Sequence, residues 1–91
     1  MYRLVTTSRF DRRSDRFRQA HPELKQRLAR VLRDLETDPF QAHLRLHPLR
    51  GEFAGLHAVS LTYGYRITLT LRISEQEITL LDIGSHDDVY R

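Results

Sequence analysis

The sequence predicts an α+β domain in which two helices cover one face of a small sheet. A β-branched segment opens the chain, and apolar residues then recur at helical spacing up to residue 35. After residue 43, apolar and polar residues alternate with a period of two, as in strands. Helices followed by a run of strands are typical of this class. The predicted order is β-α-α-β-β-β(-β), with four to five strands in a small antiparallel or mixed sheet.

The first half of the chain contains the strand and both helices. "YRLVTT" is rich in β-branched and aromatic residues and predicts the first strand. Ser8 is expected to cap the first helix, with Asp11 three residues later. Pro22 ends that helix and suits the first position of the second, which should end near Thr37. The second helix has its apolar residues at i, i+4, i+7, i+8 and i+11: Leu24, Leu28, Val31, Leu32 and Leu35.

The second half predicts strands. "HLRLHPLRG" alternates loosely, "GLHAVSLTY" and "YRITLTLRI" form a hairpin around Gly64, and "ITLLDI" forms the last strand. Side chains alternate between the two faces of a strand, so the second hairpin strand has one apolar and one polar face. The apolar face holds Ile67, Leu69, Leu71 and Ile73, and the polar face holds Arg66, Thr68, Thr70 and Arg72. The polar face is therefore available for a site.

Composition limits the classes of function. The 91 residues form one domain over 1–91, and the absence of cysteine excludes disulfides and thiolate metal sites. No apolar run reaches the length of a membrane span, and the N-terminus lacks a signal-peptide core, so we expect a cytoplasmic protein.

The charge is distributed unevenly along the chain. Residues 1–33 contain ten Lys/Arg and three Asp/Glu, whereas residues 34–91 contain five and nine. Fourteen of the fifteen basic residues are arginine, whose planar fork suits phosphate and carboxylate. A basic half of this kind indicates a nucleic acid or an acidic protein partner, or a solvated helix face with no ligand.

Four polar side chains are expected near strand ends. His47 precedes a proline and a glycine turn, Arg66 begins the central strand, and His86 and Tyr90 follow the last strand. If the strands are neighbours, these residues suit cleavage of RNA by its own 2′-hydroxyl, because histidine transfers protons near neutral pH. Arginine can hold the developing phosphate charge, and tyrosine can stack on a base. This reaction requires no metal or other cofactor.

Structural interpretations of the same residues stay open. A histidine beside a turn is more often a hydrogen-bonding group than a catalyst. Arg66 can pair with Asp82 or Asp87 across the sheet, and Tyr90 can anchor the C-terminus. No two of the five histidines lie three or four residues apart on a predicted helix, so we expect no metal ligands.

Three segments together resemble the RelE/ParE toxin superfamily of type II toxin–antitoxin systems, and in particular its RelE/StbE (YafQ-like) mRNA interferases. They are "HPELKQRLARVLRDLETDPF", "LHPLRGEFAGLHAVSLTYGYRI" and "LLDIGSHDDVYR", and they cover nearly the whole chain. The resemblance implies a RelE-like microbial RNase fold and a ribosome-dependent endoribonuclease that cuts mRNA in the A site.

The resemblance also implies roles for single residues. His47 and His86 match the acid–base histidines, Arg66 the phosphate-stabilising arginine, and Tyr90 the C-terminal aromatic residue of the cleft. Additional substrate contacts are expected from Arg50, His57 and Ser60. The arginines of the first helix are expected to contact ribosomal RNA or the antitoxin: Arg9, Arg12, Arg13 and Arg16.

Partners and alternative functions follow from the same resemblance. The expected partners are a cognate antitoxin, the ribosome with its 16S rRNA, and mRNA. The toxin–antitoxin complex would be hetero-oligomeric and would bind its operator through the antitoxin. The chain departs from the branch pattern at His57, Gly64 and Ser85, where Trp, Asp and Thr are usual. An inactive homologue that only binds antitoxin therefore remains an alternative, and so does a ParE-like gyrase inhibitor, which would have the same fold.

Overall fold

A computed structural model describes residues 1–86. The helices and strands in chain order are β1 (Arg3–Thr6), α1 (Ser8–Ala20), α2 (Lys25–Thr37), β2 (His47–Pro48), β3 (His57–Ser60), β4 (Tyr65–Arg72) and β5 (Glu77–Ser85). Short 3₁₀ turns lie at Pro22–Leu24, Ala42–Leu44 and Gly51–Phe53. The predicted α+β class and element order are confirmed.

The five strands form one mixed sheet in the order β1-β5-β4-β3-β2. β1 runs parallel to β5, and the other neighbours are antiparallel. A β-bulge between Thr68 and Leu69 shifts the register of β4 against β5. β4 therefore lies in the centre of the sheet, with β5 on one side and β3 on the other.

The hydrophobic core lies between the two helices and one face of the sheet. Phe10 and Phe17 of α1 are buried in it. The buried residues of α2 recur at helical spacing and those of β4 alternate, as predicted: Leu28, Val31 and Leu35, and Ile67 and Leu69. In β5 the bulge interrupts the alternation, and the buried hydrophobic residues are Ile78, Leu80 and Ile83. Ile73 differs from the prediction, since it follows the end of β4 and is 60% exposed.

The cap of α1 is Thr7 and not the predicted Ser8. The Thr7 hydroxyl oxygen accepts a hydrogen bond from the Phe10 N–H (3.1 Å), which satisfies a free amide of the first turn. The same hydroxyl donates to the Leu80 carbonyl oxygen (3.0 Å). This second bond ties the start of α1 to β5, so tertiary contact selects the capping residue.

The alternating segment after residue 42 forms much less strand than predicted. Ala42–Leu44 is a 3₁₀ turn, and Arg45 has left-handed backbone angles (φ 54°, ψ 44°). Only His47–Pro48 pairs with β3. Proline has no N–H to donate to a ladder, which favours an edge position such as this one.

No helix within residues 1–86 is long and apolar enough to cross a membrane.

The turn between β4 and β5 places two polar groups around the Glu75 carboxylate. The Ser74 hydroxyl donates to one of its oxygens (2.5 Å), and the Arg72 guanidinium lies 3.0 Å from the other. These two contacts lower the pKa of the exposed Glu75 carboxyl below its ordinary value.

Candidate functional site

The register of the sheet places three of the predicted site residues on one face. Ser60 pairs with Arg66, so these two side chains lie on the same face of neighbouring strands. His47 pairs with Ala58, which is two residues from Ser60 and therefore shares its face. The buried Val59 and Ile67 point to the opposite, helix-covered face. His47, Ser60 and Arg66 thus occupy the polar face that the sequence predicted.

The backbone around His47 determines which of its ring nitrogens is available. Nδ1 of His47 lies 2.8 Å from the carbonyl oxygen of Arg45. A carbonyl only accepts hydrogen bonds, so this Nδ1 carries the proton and Nε2 has the lone pair of the neutral ring. The left-handed conformation of Arg45 directs that carbonyl, because it folds the chain tightly just before β2.

Arg66 and Ser60 line a cleft of about 420 Å³ at the end of β3. Three arginines from three different parts of the chain meet there with one histidine and several hydroxyl groups. The residues lining the cleft are Arg27, Val31, His43, Arg45, Ser60, Leu61, Thr62, Tyr63 and Arg66. Arg27 also donates to the Leu61 carbonyl oxygen (3.3 Å), and Tyr63 is fully exposed. This combination of cations, hydroxyls and an exposed aromatic ring suits a single-stranded nucleic acid.

His86 lies on the other side of Arg66 from His47. Gly84 of β5 pairs with Arg66, and His86 follows two residues later as an exposed side chain. β2 is two strands from β4 on the opposite side. Arg66 is therefore flanked by the two histidines that the sequence selected. Tyr90 lies outside the described residues.

Two other predicted substrate contacts do not join this group. His57 pairs with the buried Leu69, which places its half-buried ring on the face opposite Arg66. Its Nδ1 atom is buried and has no hydrogen-bond partner within residues 1–86. Arg50 is exposed and precedes the 3₁₀ turn at Gly51–Phe53, away from the lining of the cleft.

The arginines of α1 divide into two pairs. Arg9 and Arg13 bind the Asp82 carboxylate of β5, at 3.1 and 3.0 Å, and the Asp82 side chain is only 9% exposed. Arg13 also donates to the Ile83 carbonyl oxygen (3.3 Å). Arg12 and Arg16 are exposed, with no ion pair inside the described part of the chain. Two of the four predicted RNA or antitoxin contacts thus have an intramolecular partner.

A second cavity of about 440 Å³ lies between α1 and the end of β5. Phe17, His21 and Tyr65 pack against one another in its wall, with ring centroids 4.8–5.1 Å apart. None of the residues predicted to act in catalysis lines it within the described range. In residues 1–86 no group of three or more His, Asp or Glu is placed to hold a metal ion.

Sequence reasoning missed four residues of the Arg66 cleft: Arg27, His43, Arg45 and Tyr63. Arg27 lies on α2, and its approach to the sheet depends on helix packing. His43 and Arg45 belonged to a predicted strand that is a 3₁₀ turn instead. Tyr63, at the tip of the β3–β4 hairpin, carried the best signal, since an aromatic residue in a turn has no core to enter.

Comparison with known proteins identifies the fold. No family model and no curated protein matches the chain. Among solved structures, YafQ from E. coli BL21(DE3) superposes over 100% of both chains with a TM-score of 0.82 at 13% identity. A metal-bound toxin from Helicobacter pylori covers 99% of this chain and 100% of its own, with a TM-score of 0.81 at 23% identity.

A third solved structure contains a partner protein. It is the E. coli DinJ–YafQ toxin–antitoxin complex, which matches over 99% of this chain and 98% of the solved chain, with a TM-score of 0.79 at 15% identity. All three similarities extend over essentially the whole of both chains. The fold expected from the sequence is thus confirmed, since the chain shares it with these solved toxin structures.

Proposed function

We propose that this chain is the toxin of a type II toxin–antitoxin system and that it cleaves mRNA in the ribosomal A site. The observation that carries the proposal is the cleft around Arg66, in which three arginines, one histidine and several hydroxyl groups meet on a toxin-like fold. Such a cleft suits the phosphate and the bases of a single RNA strand.

The chemistry proposed is transesterification by the RNA itself. The 2′-oxygen attacks the neighbouring phosphorus, the bond from phosphorus to the 5′-oxygen breaks, and a 2′,3′-cyclic phosphate remains. Arg66 stabilises the additional negative charge on the phosphate oxygens. His47 and His86, on either side of Arg66, supply the acid–base pair, and Tyr90 orients or stacks the substrate. Ser60 provides a hydroxyl contact beside Arg66.

Partner binding completes the proposal. YafQ is found in complex with DinJ in a toxin–antitoxin complex, which supports a cognate antitoxin for this chain. Arg12 and Arg16 on the exposed side of α1 are available for the phosphates of 16S rRNA. Contacts of this kind are largely independent of sequence and weaken with salt.

The test is to incubate the purified chain with ribosomes paused on a defined mRNA and to map cuts by primer extension, with naked mRNA in parallel. We expect cuts in the A-site codon only when ribosomes are present. Cuts in the naked mRNA sample, which contains no ribosomes, would contradict ribosome dependence. No cuts in either sample would favour gyrase inhibition, measured by a supercoiling assay, or an inactive antitoxin-binding homologue.

A further inference from the structure

The Arg66 cleft contains a histidine whose orientation is set by a carboxylate. Nε2 of His43 lies 2.8 Å from an Asp34 carboxylate oxygen. The carboxylate can only accept, so Nε2 carries the proton, and the lone pair of the neutral ring is on Nδ1. The Asp34 side chain is 27% exposed and that of His43 is 58% exposed. One side of the ring is thus engaged by protein and the other is open to a ligand.

The backbone that carries His43 is anchored on both sides. Before it, the Gln41 side-chain amide donates to the carbonyl oxygens of Asp34 and Asp38, each at 2.9 Å. After it, Leu44 is fully buried in the core. Groups that transfer protons must be held in a defined position, and this segment provides such a position on an otherwise irregular stretch.

His43 shares the cleft with Arg66, whereas His47 does not line it. Of the described residues around the cleft, His43 is the single histidine, and Ser60, Arg45 and Arg66 lie with it. His47 lies on β2, about 10 Å from β4 at the usual spacing of strands. Arg66 and the His43 imidazole thus line one space that a phosphate of the RNA can enter.

We propose that His43, oriented by Asp34, is a further proton-transfer residue of the RNA-cleaving site. This inference rests on the proposed function and revises one part of it: His43 is the base, so that only one of His47 and His86 transfers a proton, as the acid. The 2′-hydroxyl gives its proton to Nδ1 of His43 as the oxygen attacks phosphorus. The bond to the 5′-oxygen then breaks, and that oxygen takes a proton from the imidazolium of His47 or His86. Asp34 is a positioning residue, since it acts only through the ring of His43.

The experiment measures single-turnover cleavage of ribosome-bound mRNA by the full chain, with and without added imidazole. We expect His43→Ala to lower the rate constant about 100-fold, the usual lower range for a general acid or base. Free imidazole should restore the rate several-fold by entering the space left by the side chain. Asp34→Ala should lower the rate about tenfold, and binding of ribosomes loaded with 2′-deoxy mRNA should stay within twofold in both variants.

The matched control is His21→Gln, which removes an imidazole outside the cleft and should leave the rate within twofold. Thermal unfolding of each variant distinguishes loss of proton transfer, which leaves the unfolding temperature unchanged, from loss of structure around residue 43, which lowers it. Cleavage by the unmodified chain together with full activity of His43→Ala would overturn this inference alone. A parallel fall of RNA binding and rate, without imidazole rescue, would also overturn it. Absence of cleavage by the unmodified chain would overturn the proposed function as well.

Discussion

Two arginine-rich regions of this molecule differ in their surroundings and in how visible they are in the sequence. On α1, Arg9 and Arg13 bind the nearly buried Asp82 and fasten the helix to β5. In the cleft, Arg45 and Arg66 lie with Arg27 in a space open to solvent and large enough for a nucleotide segment. The first region is a local run of charge, and the second is assembled from three distant parts of the chain.

The comparison shows that the location of an arginine in the fold matters more than the density of charge around it in the sequence. A guanidinium that meets a buried carboxylate contributes to stability, because removing either group leaves the other uncompensated. A guanidinium that lines an open cleft adds positive potential at a place that an anionic ligand can reach. The dense cluster in α1 attracts attention in the sequence, yet two of its members are occupied inside the protein.

The largest expected effect is a loss of RNA cleavage when an arginine of the cleft is removed. Arg66→Ala should lower the cleavage rate by at least about 100-fold, the usual cost of removing a group that stabilises transition-state charge. Antitoxin binding, measured by calorimetry, should remain nearly unchanged. Arg72→Ala is the control on the same strand, since Arg72 pairs with the exposed Glu75 outside the cleft. Equal loss in both variants would mean that β4 needs its arginines for structure.

The next effect concerns stability at the other region. Asp82→Asn should lower the free energy of unfolding by about 2 kcal/mol, because two arginines lose a charged, nearly buried acceptor. Urea unfolding measures this change. Asp15→Asn on α1 breaks only the exposed pair with Arg18 and should cost less than about 0.5 kcal/mol. A small effect at Asp82 would remove the stabilising role assigned to Arg9 and Arg13.

A smaller effect is expected from the exposed pair on α1. The double charge reversal Arg12→Glu and Arg16→Glu should weaken ribosome association. The slope of log K against log[salt] should become shallower by about one to two, which corresponds to the loss of one to two phosphate contacts. Binding at several salt concentrations provides the slope. Arg30→Glu on the exposed side of α2 makes the same kind of charge change away from α1. An unchanged slope in the double variant would exclude α1 as the anchor on ribosomal RNA.

The smallest effect tests a departure from the family pattern next to Arg66. Gly64 has no positive φ, and a Cβ added there meets nothing within 4 Å. We therefore expect Gly64→Asp to change the free energy of unfolding by less than about 0.5 kcal/mol. The new carboxylate would partly offset the Arg66 charge, so RNA binding should weaken about two- to threefold. Gly64→Asn has nearly the same shape without the charge and should bind as the unmodified chain does.

The sequence could predict which face of the sheet a side chain occupies where sequence order fixes spatial order. Arg66 and Ser60 lie across a short hairpin, so alternation and turn length were enough to place both on the polar face. The same alternation places His57, three residues before Ser60, on the opposite face, so that its substrate contact stays a prediction. Alternation could not predict the pair of Asp34 and His43, since a helix and a 3₁₀ turn have no periodic relation to one another.

The sequence by itself determined the fold class and the core of this protein. Periods of 3.6 and 2 identify the faces of α2 and β4, since burial of apolar side chains is the main driving force for folding. Only the tertiary structure decided which polar groups meet: Thr7 in place of Ser8 as the cap, Arg9 and Arg13 on Asp82, and the three arginines of the cleft. Hydrogen bonds and ion pairs act over a few ångströms, and hydrogen bonds also require a defined angle. They therefore depend on the three-dimensional positions of distant residues, which a local sequence pattern does not specify.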